Sequence, residues 1–464
     1  GCRLEVMYYT KPIKFAYSFE QYLHKCFVKD REYGEWFTTD YNEVIELMKV
    51  YKFGGASVKD ANSIKNVCSI IRNEKSLVIV ISAMGKTTNK LELVVEEYLS
   101  EKDYNNSLNS VLDYHKSILT VLFPNKENEI WNTFQKISNY IELYLKNEPE
   151  KNYDKTYDQI VPVGELLSSK ILSAYLEQSG ISNNWIDIRK TFETDDYFRK
   201  ANLNWEKSSG NAKMHFEENI VSITQGFIGG TKHNLMTTLG REGSDYTAAA
   251  IANMLDATEL VVWKDVPGIL NADPRYFNEP KKLNHISYKE AIELSFYGAT
   301  IIHPKTIKPI QNKGIPLFVK SFLEPNEPGT LVDDNTEYDS LLPIFIYKPK
   351  QVLISLSRKD FDFLEEEHLS EVFELLHQHK LGVNIMQNSA INFSISLDYE
   401  KARIEEIIPK FQEKYKVLYN LNLELLTIRH YDQNSLEEMT KNHEVILEQK
   451  TRNTLKMLIR NLEE

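Results

Sequence analysis

The stretch TTLGREGSDYTAAAIA (Thr237–Ala252) sets Arg241, Glu242 and Asp245 among glycines where a turn becomes an alanine-rich helix. A helix start offers unpaired N–H groups and the positive end of a dipole, so the pattern suits an anion. KFGGAS (Lys52–Ser57) offers a second such place. Adjacent Gly54 and Gly55 let backbone approach a ligand, the next helix start faces a phosphate, and Lys52 can act as a point charge between transferring oxygens. SAMGKTTN (Ser82–Asn89) adds hydroxyls at a strand end that can donate to a carboxylate or a phosphate. VGELL (Val163–Leu167) puts Glu165 just after an apolar run, where it could hold an ammonium group. WKDVPGILNADPR (Trp263–Arg275), with Asp265 and Arg275, reads as an irregular nucleotide-binding loop. Taken singly, each motif is equally a turn, a cap or a first-turn acid compensating a dipole.

The elements that must position these residues alternate in type. A strand at Lys49–Phe53 runs into the Gly54-Gly55 turn, and SLVIVISAMG (Ser76–Gly85) is a buried β-branched run. Helical patterns fill about 88–150, and Ile160–Gly180 reads as strand, turn, helix. NNWIDIRK and Ile220–Gly230 give further strands before the helix that follows Arg241. Strands alternating with helices predict a mostly parallel sheet sandwiched by helices, with ligands gathering at the carboxyl ends of its strands. From about 343 the order becomes β-α-β-β, then a helix over Tyr399–Lys414, then strands at YKVLYN and LELLTIRH. This predicts two smaller α+β units, with EPNEPGT (Glu324–Thr330) as the link.

Composition narrows the partners. The 464 residues are 42% hydrophobic and 26% charged, enough for two or three domains with real cores. A formal net charge of -12 argues against nucleic acid or an anionic membrane as the main partner. The cysteines, Cys2, Cys26 and Cys68, are too few and scattered for a disulfide framework or a zinc site, which fits a reduced, cytoplasmic compartment. No apolar run reaches the roughly 18 residues of a membrane helix.

In order and rough spacing, KFGGAS, SAMGKTTN, VGELLS, TTLGREGSDYTAA, WKDVPGILNADPR and YGATIIHPKTIKP resemble the motifs of aspartate kinases, in the amino-acid kinase family. The C-terminal units look like the ACT pair those enzymes carry. The resemblance implies a kinase domain over 48–335, a first ACT-like unit over 343–414 and an abbreviated second over 415–464. It also implies a homodimer through the ACT units, an amino-acid effector, and transfer of a phosphoryl group from ATP, with Mg2+, to the side-chain carboxylate of L-aspartate. That acceptor is ionised near pH 7, so positioning and charge neutralisation are the protein's main tasks. By the same resemblance, Lys52 bridges the acceptor carboxylate and the γ-phosphate, beside a phosphate-side loop of Gly54, Gly55 and Ser57. Ser82 and Thr88 lie near the substrate, Glu165 pairs with its ammonium, and Arg241 clamps a carboxylate. Ser244 and Asp245 open the helix, Asp245 orienting Lys52 or the substrate, or less directly moving a proton. Lys264, Asp265 and Arg275 take nucleotide-loop positions. A catalytically silent amino-acid sensor and another amino-acid kinase are the competing readings.

Departures from the pattern carry their own expectations. Glu242 stands where the motif usually has glycine, so its side chain must point away from the anion site. Thr300 replaces a lysine that reaches ATP, a loss Lys305 or Arg275 would have to offset. Asn384 and Ala390 replace carboxylates expected to bind lysine, which puts lysine feedback in doubt. Residues 1–47 form an extra segment outside the kinase. They faintly resemble the tail of a GIY-YIG-type nuclease module without its catalytic strands, and His24 and Glu35 there read as a solvated face.

Overall fold

The computed structural model describes residues 48–149, 152–299, 302–360, 362–433, 435, 439 and 441–462, with a short pairing of Arg31–Glu32 and Trp36–Phe37. The other expectations for residues 1–47, and that for Thr300, lie outside the described residues.

The chain runs β1 (Lys49–Phe53), a 3-10 turn (Gly55–Val58), α1 (Ala61–Ile71) and β2 (Leu77–Ile81). Helices α2 (Thr87–Leu99), α3 (Asn105–Leu122), α4 (Glu129–Leu145), α5 (Tyr153–Ile160) and α6 (Val163–Gln178) follow. Next come β3 (Asn183–Ile186), α7 (Ile188–Thr191), β4 (Glu193–Thr194), α8 (Trp205–His215), β5 (Val221–Gln225), β6 (Ile228–Thr231) and β7 (Met236–Thr238). The rest of this half is α9 (Gly243–Met254), β8 (Glu259–Lys264), β9 (His285–Ser287), α10 (Tyr288–Tyr297), α11 (Pro304–Gln311), β10 (Leu317–Ser321) and β11 (Thr330–Asp333).

Eight strands pair in the order β9-β11-β10-β8-β1-β2-β5-β3, all parallel except β10 with β11. β1 and β2 show why: Tyr51, Phe53, Leu77, Ile79 and Ile81 face a core shared with α1 to α4 and α6. Val50, Val78 and Val80 face the opposite core, shared with α9 to α11. A strand buried on both faces must be apolar at every position, which is why LVIVI shows no alternation. On α9, Ala248, Ala249, Ala250 and Ala252 are fully buried, and their small side chains bring the helix axis close to the sheet.

Two readings are corrected. Residues 160–163 are not a strand: Ile160 ends α5 and Val163 begins α6, so Glu165 follows a helix-to-helix turn. A short apolar run does not distinguish a strand from a buried helix end. Residues 324–330 are not the link between domains, because β11 after them returns antiparallel to β10 within the same sheet. The chain leaves that sheet only after Asp333.

The C-terminal region is β12 (Ile344–Arg358), α12 (Glu366–Gln378), β13 (Val383–Asn388), β14 (Asn392–Asp398), α13 (Lys401–Lys414), β15 (Tyr415–Arg429), β16 (His443–Lys450) and β17 (Thr454–Asn461). Its strands form one six-stranded antiparallel sheet, ordered β13-β14-β12-β15-β17-β16. YKVLYN and LELLTIRH, expected as separate strands, run on as β15. β12 and β15, 15 residues each, lie side by side along their whole length. The start of β12 sits beside the end of β15, next to β17, while its end pairs with β14. The sheet is tied to α10 by Arg429, whose guanidinium donates to both carboxylate oxygens of buried Glu290 and to Thr454 Oγ1 at 2.8 Å.

Candidate active site

A cleft of about 1120 Å3 opens at the carboxyl ends of β1, β2, β5 and β8. Lys52, Ser82, Thr88, Glu165, Arg241, Ser244, Asp245 and Lys264 all line it. Residues from five separate stretches of chain thus converge where a parallel sheet places ligands.

Lys52, the next-to-last residue of β1, pairs its Nζ with Asp245 Oδ1 at 2.6 Å. Asp245 sits in the first turn of α9 and is 4% exposed. Burial alone would raise its carboxyl, but the Lys52 and Lys264 ammonium groups hold it below the ordinary carboxylate range. The site therefore carries fixed charges of both signs, with two lysines facing the space where a polyanion would sit.

Glu165 presents the opposite arrangement. It is 3% exposed, and its Oε1 accepts a hydrogen bond from Ala83 N–H at 3.2 Å. Its Oε2 is buried with no partner among the described residues. Burial outweighs the Ala83 bond and pushes the carboxyl up to about 8. A buried carboxylate is stable only beside a cation, and within its own chain this atom has no such partner among the described residues.

Gly226 lets the α9 mouth approach β5. A Cβ there would stand 2.5 Å from Ser244 Cβ. Gly226→Ala is therefore expected to displace Ser244, lowering kcat/KM by about tenfold or more and the melting temperature by a few degrees. Steady-state kinetics and a thermal melt check both, and an unaltered kcat/KM refutes the close fit.

The remaining sequence candidates fall outside the cleft lining. Gly54 lies at its edge, where a Cβ would stand 3.4 Å from Lys52 Nζ, so the missing side chain leaves the lysine room. Gly55 packs backbone to backbone, its would-be Cβ 2.7 Å from Gly85 O and 2.8 Å from Ala83 O. Ser57 is buried against the Trp263 carbonyl, and Asp265 is exposed. Arg275 is exposed and paired with Asp273, and Lys305 Nζ donates to Leu239 O at 2.9 Å. Neither cation is thus placed to offset a missing lysine. The lining cations beyond those already named are Arg199, Lys200 and Lys380, the last from the loop after α12.

Glu242, expected to point away from the anion site, is itself among the residues lining the cleft. It adopts φ 53°, ψ 28°, the left-handed region that favours glycine. Its Oε2 accepts a hydrogen bond from His303 N–H at 2.9 Å, which turns the carboxylate towards the start of α11.

Sequence reasoning missed Tyr157, Arg199 and Phe227, which also line the cleft. Arg199 stacks on the Tyr157 ring at 4.5 Å. Its backbone N–H and that of Thr238 both donate to buried Asp158 at 2.9 Å. The one sequence signal was the run of aromatic and basic residues in DDYFRK (Asp195–Lys200), which matches no common motif.

Asn384 is occupied as well. Lys348 Nζ donates to its Oδ1 at 2.8 Å, while its amide nitrogen donates to Gln351 Oε1 and Asp398 Oδ1, each at 2.9 Å.

Comparison with known proteins adds four findings. A model of the amino acid kinase family matches residues 48–321. Lysine-sensitive aspartokinase 3 of Escherichia coli K12 is 31% identical over 355 residues, 75% of this chain and 78% of that one. The structure resembles E. coli aspartokinase III with lysine and aspartate in its T-state, at a TM-score of 0.76 and 26% identity, covering 90% of this chain and 96% of that one. It also resembles the R-state of that enzyme with aspartate and ADP, at a TM-score of 0.71 with the same identity and coverage.

Proposed function

We propose, since this chain belongs to the amino acid kinase family, that it is an aspartate kinase: ATP and L-aspartate give ADP and 4-phospho-L-aspartate. The observation that carries the reading is the single cleft holding the unpartnered Glu165 oxygen, the exposed Arg241 and the Lys52–Asp245 pair. Those groups match the three ends of the acceptor: an ammonium, a carboxylate to be clamped, and a carboxylate that must meet a phosphate.

In this reading Glu165 takes the ammonium and Arg241 the α-carboxylate, with Ser82, Thr88 and Ser244 donating hydroxyls. Lys52 then lies between the β-carboxylate and the γ-phosphate. A β-carboxylate oxygen forms the new bond to phosphorus as the bond to the β-phosphate bridging oxygen breaks, and the electron pair leaves with ADP. The acceptor is already ionised, so no proton needs to be removed. Asp245 orients Lys52, and Lys264 shares the phosphate charge. Among the described residues no cluster of three or more His, Cys, Asp or Glu could cage a cation. Mg2+ is read as part of the nucleotide substrate, held by phosphate oxygens and water.

The C-terminal sheet is proposed as the dimerising and regulatory region, with Ile344–Lys348 joining the residues after 415 in its second unit. Among the described residues no helix is long and apolar enough to cross a membrane.

The test is to incubate the protein with ATP, Mg2+ and L-aspartate and trap acyl phosphate with hydroxylamine. Hydroxamate well above an aspartate-free blank is expected, and a blank-level signal overturns the reading. Because Asn384 is already engaged by Lys348, added lysine is expected to leave the rate unchanged.

A further inference from the structure

Arg241 makes no side-chain hydrogen bond or ion pair with any described residue, and it is exposed at the cleft wall. Among the described residues, therefore, only its backbone sets the direction from which its side chain starts. That backbone is a four-residue turn, Gly240 to Gly243, closed by Gly243 N–H donating to Gly240 O at 3.0 Å. Glu242 occupies the third position with φ 53°, a place where such turns ordinarily require glycine. A side chain kept there against its backbone preference has a use elsewhere in the fold.

The structure shows the use. Glu242 Oε2 accepts from His303 N–H at 2.9 Å, and Lys305 Nζ donates to Leu239 O at 2.9 Å. Both bonds are donated by the 303–305 segment to the 239–242 segment, on either side of Arg241. Lys305 is further fixed over the Tyr246 ring at 4.4 Å, one turn into α9. His303 in turn caps α11, its Nδ1 accepting from Lys305 N–H at 3.1 Å.

We propose that Glu242 and Lys305 are positioning residues: together they brace the turn that aims Arg241 at the acceptor's carboxylate. The proposal rests on the aspartate kinase reading for its substrate, but the brace itself does not. The bonds cross from a loop of the site to the start of another helix, so they set the angle of the turn rather than its chemistry. Loss of the brace leaves Arg241 present and loosely aimed, which weakens acceptor binding more than nucleotide binding.

Three variants separate the contributions. Glu242→Gly removes the bond and relieves the backbone, Glu242→Ala removes the bond alone, and Glu242→Gln keeps an acceptor for His303 N–H. Glu242→Gly and Glu242→Ala are expected to raise the KM for L-aspartate about tenfold or more, with the KM for ATP within about twofold. Glu242→Gln is expected to stay within about threefold of the parent on both, and Lys305→Met to behave like Glu242→Ala. A purely structural role would lower the melting temperature and move both KM values together, which overturns the proposal, as does a parent-like aspartate KM in Glu242→Gly. Failure of the reaction itself shows differently, as a parent protein that forms no hydroxamate. The brace is then judged by hydrogen exchange at the His303 amide, expected to be about tenfold faster in Glu242→Ala. Unchanged exchange overturns the brace whatever the substrate.

Discussion

Glu165→Gln is expected to raise the KM for L-aspartate by about two to three orders of magnitude while leaving the KM for ATP within about threefold. Glutamine retains an oxygen for the Ala83 N–H, so the fold of the loop is kept. What it cannot supply is a negative charge. Removing one partner of a buried ammonium–carboxylate pair costs about 3–5 kcal/mol, roughly two to three and a half orders of magnitude in affinity, and the lower part of that range is expected in a cleft open to water. The parent should also show a pH signature. With its carboxyl raised to about 8, Glu165 is mostly protonated in the empty site at pH 7. An incoming ammonium must drive that proton off, so aspartate binding releases a proton and weakens about fivefold from pH 8 to pH 7. Calorimetry in buffers of different ionisation enthalpy measures the release. The stability sign runs the other way. A raised carboxyl contributes stability that is fully present below its unfolded pKa and is lost as pH rises through about 8. Unliganded Glu165→Gln is therefore expected to gain on the parent as pH climbs from 5 to 9. An aspartate KM within fivefold of the parent, with no buffer-dependent binding heat, removes Glu165 from the ammonium role.

Lys52→Met is expected to lower kcat by about 10³ with a smaller change in either KM, because its charge is used most where phosphoryl charge spreads. It also strands Asp245, whose carboxyl is held down against burial by Lys52 first and Lys264 second. Loss of Lys52 should therefore also lower the melting temperature at neutral pH. Adding Asp245→Asn to Lys52→Met is expected to recover stability without recovering turnover. If the double variant regains activity, Lys52 serves the fold and not the transfer.

How far the site was legible depended on where each residue lay relative to a glycine turn. Lys52 and Asp245 were readable because strand-to-helix junctions advertise themselves through Gly54, Gly55 and Gly243. Glu165 was found with the wrong surroundings, since Ile160 and Val161 have the composition of a strand and lie at the end of a helix. Arg199 and Tyr157 belong to no such junction. They reach the cleft through Asp158, whose bonds to residues 41 and 80 positions away leave no local pattern. The fate of Glu242 turned on a backbone angle and on a partner 61 residues on, neither of which composition encodes. EPNEPGT misled because a Pro- and Gly-rich turn looks alike whether it joins two strands or two domains.

The two long strands of the C-terminal sheet bear on how that region comes apart. β12 and β15 each belong to both ends of the sheet, and they pair with each other from Ile344–Arg429 to Arg358–Tyr415. The shared ladder, interrupted only by register shifts between Lys348 and Leu353, links the two ends. Amides as distant as Ile354 and Ile428 are therefore expected to exchange with the same opening free energy, and clearly different values would show that the two ends open separately at those shifts.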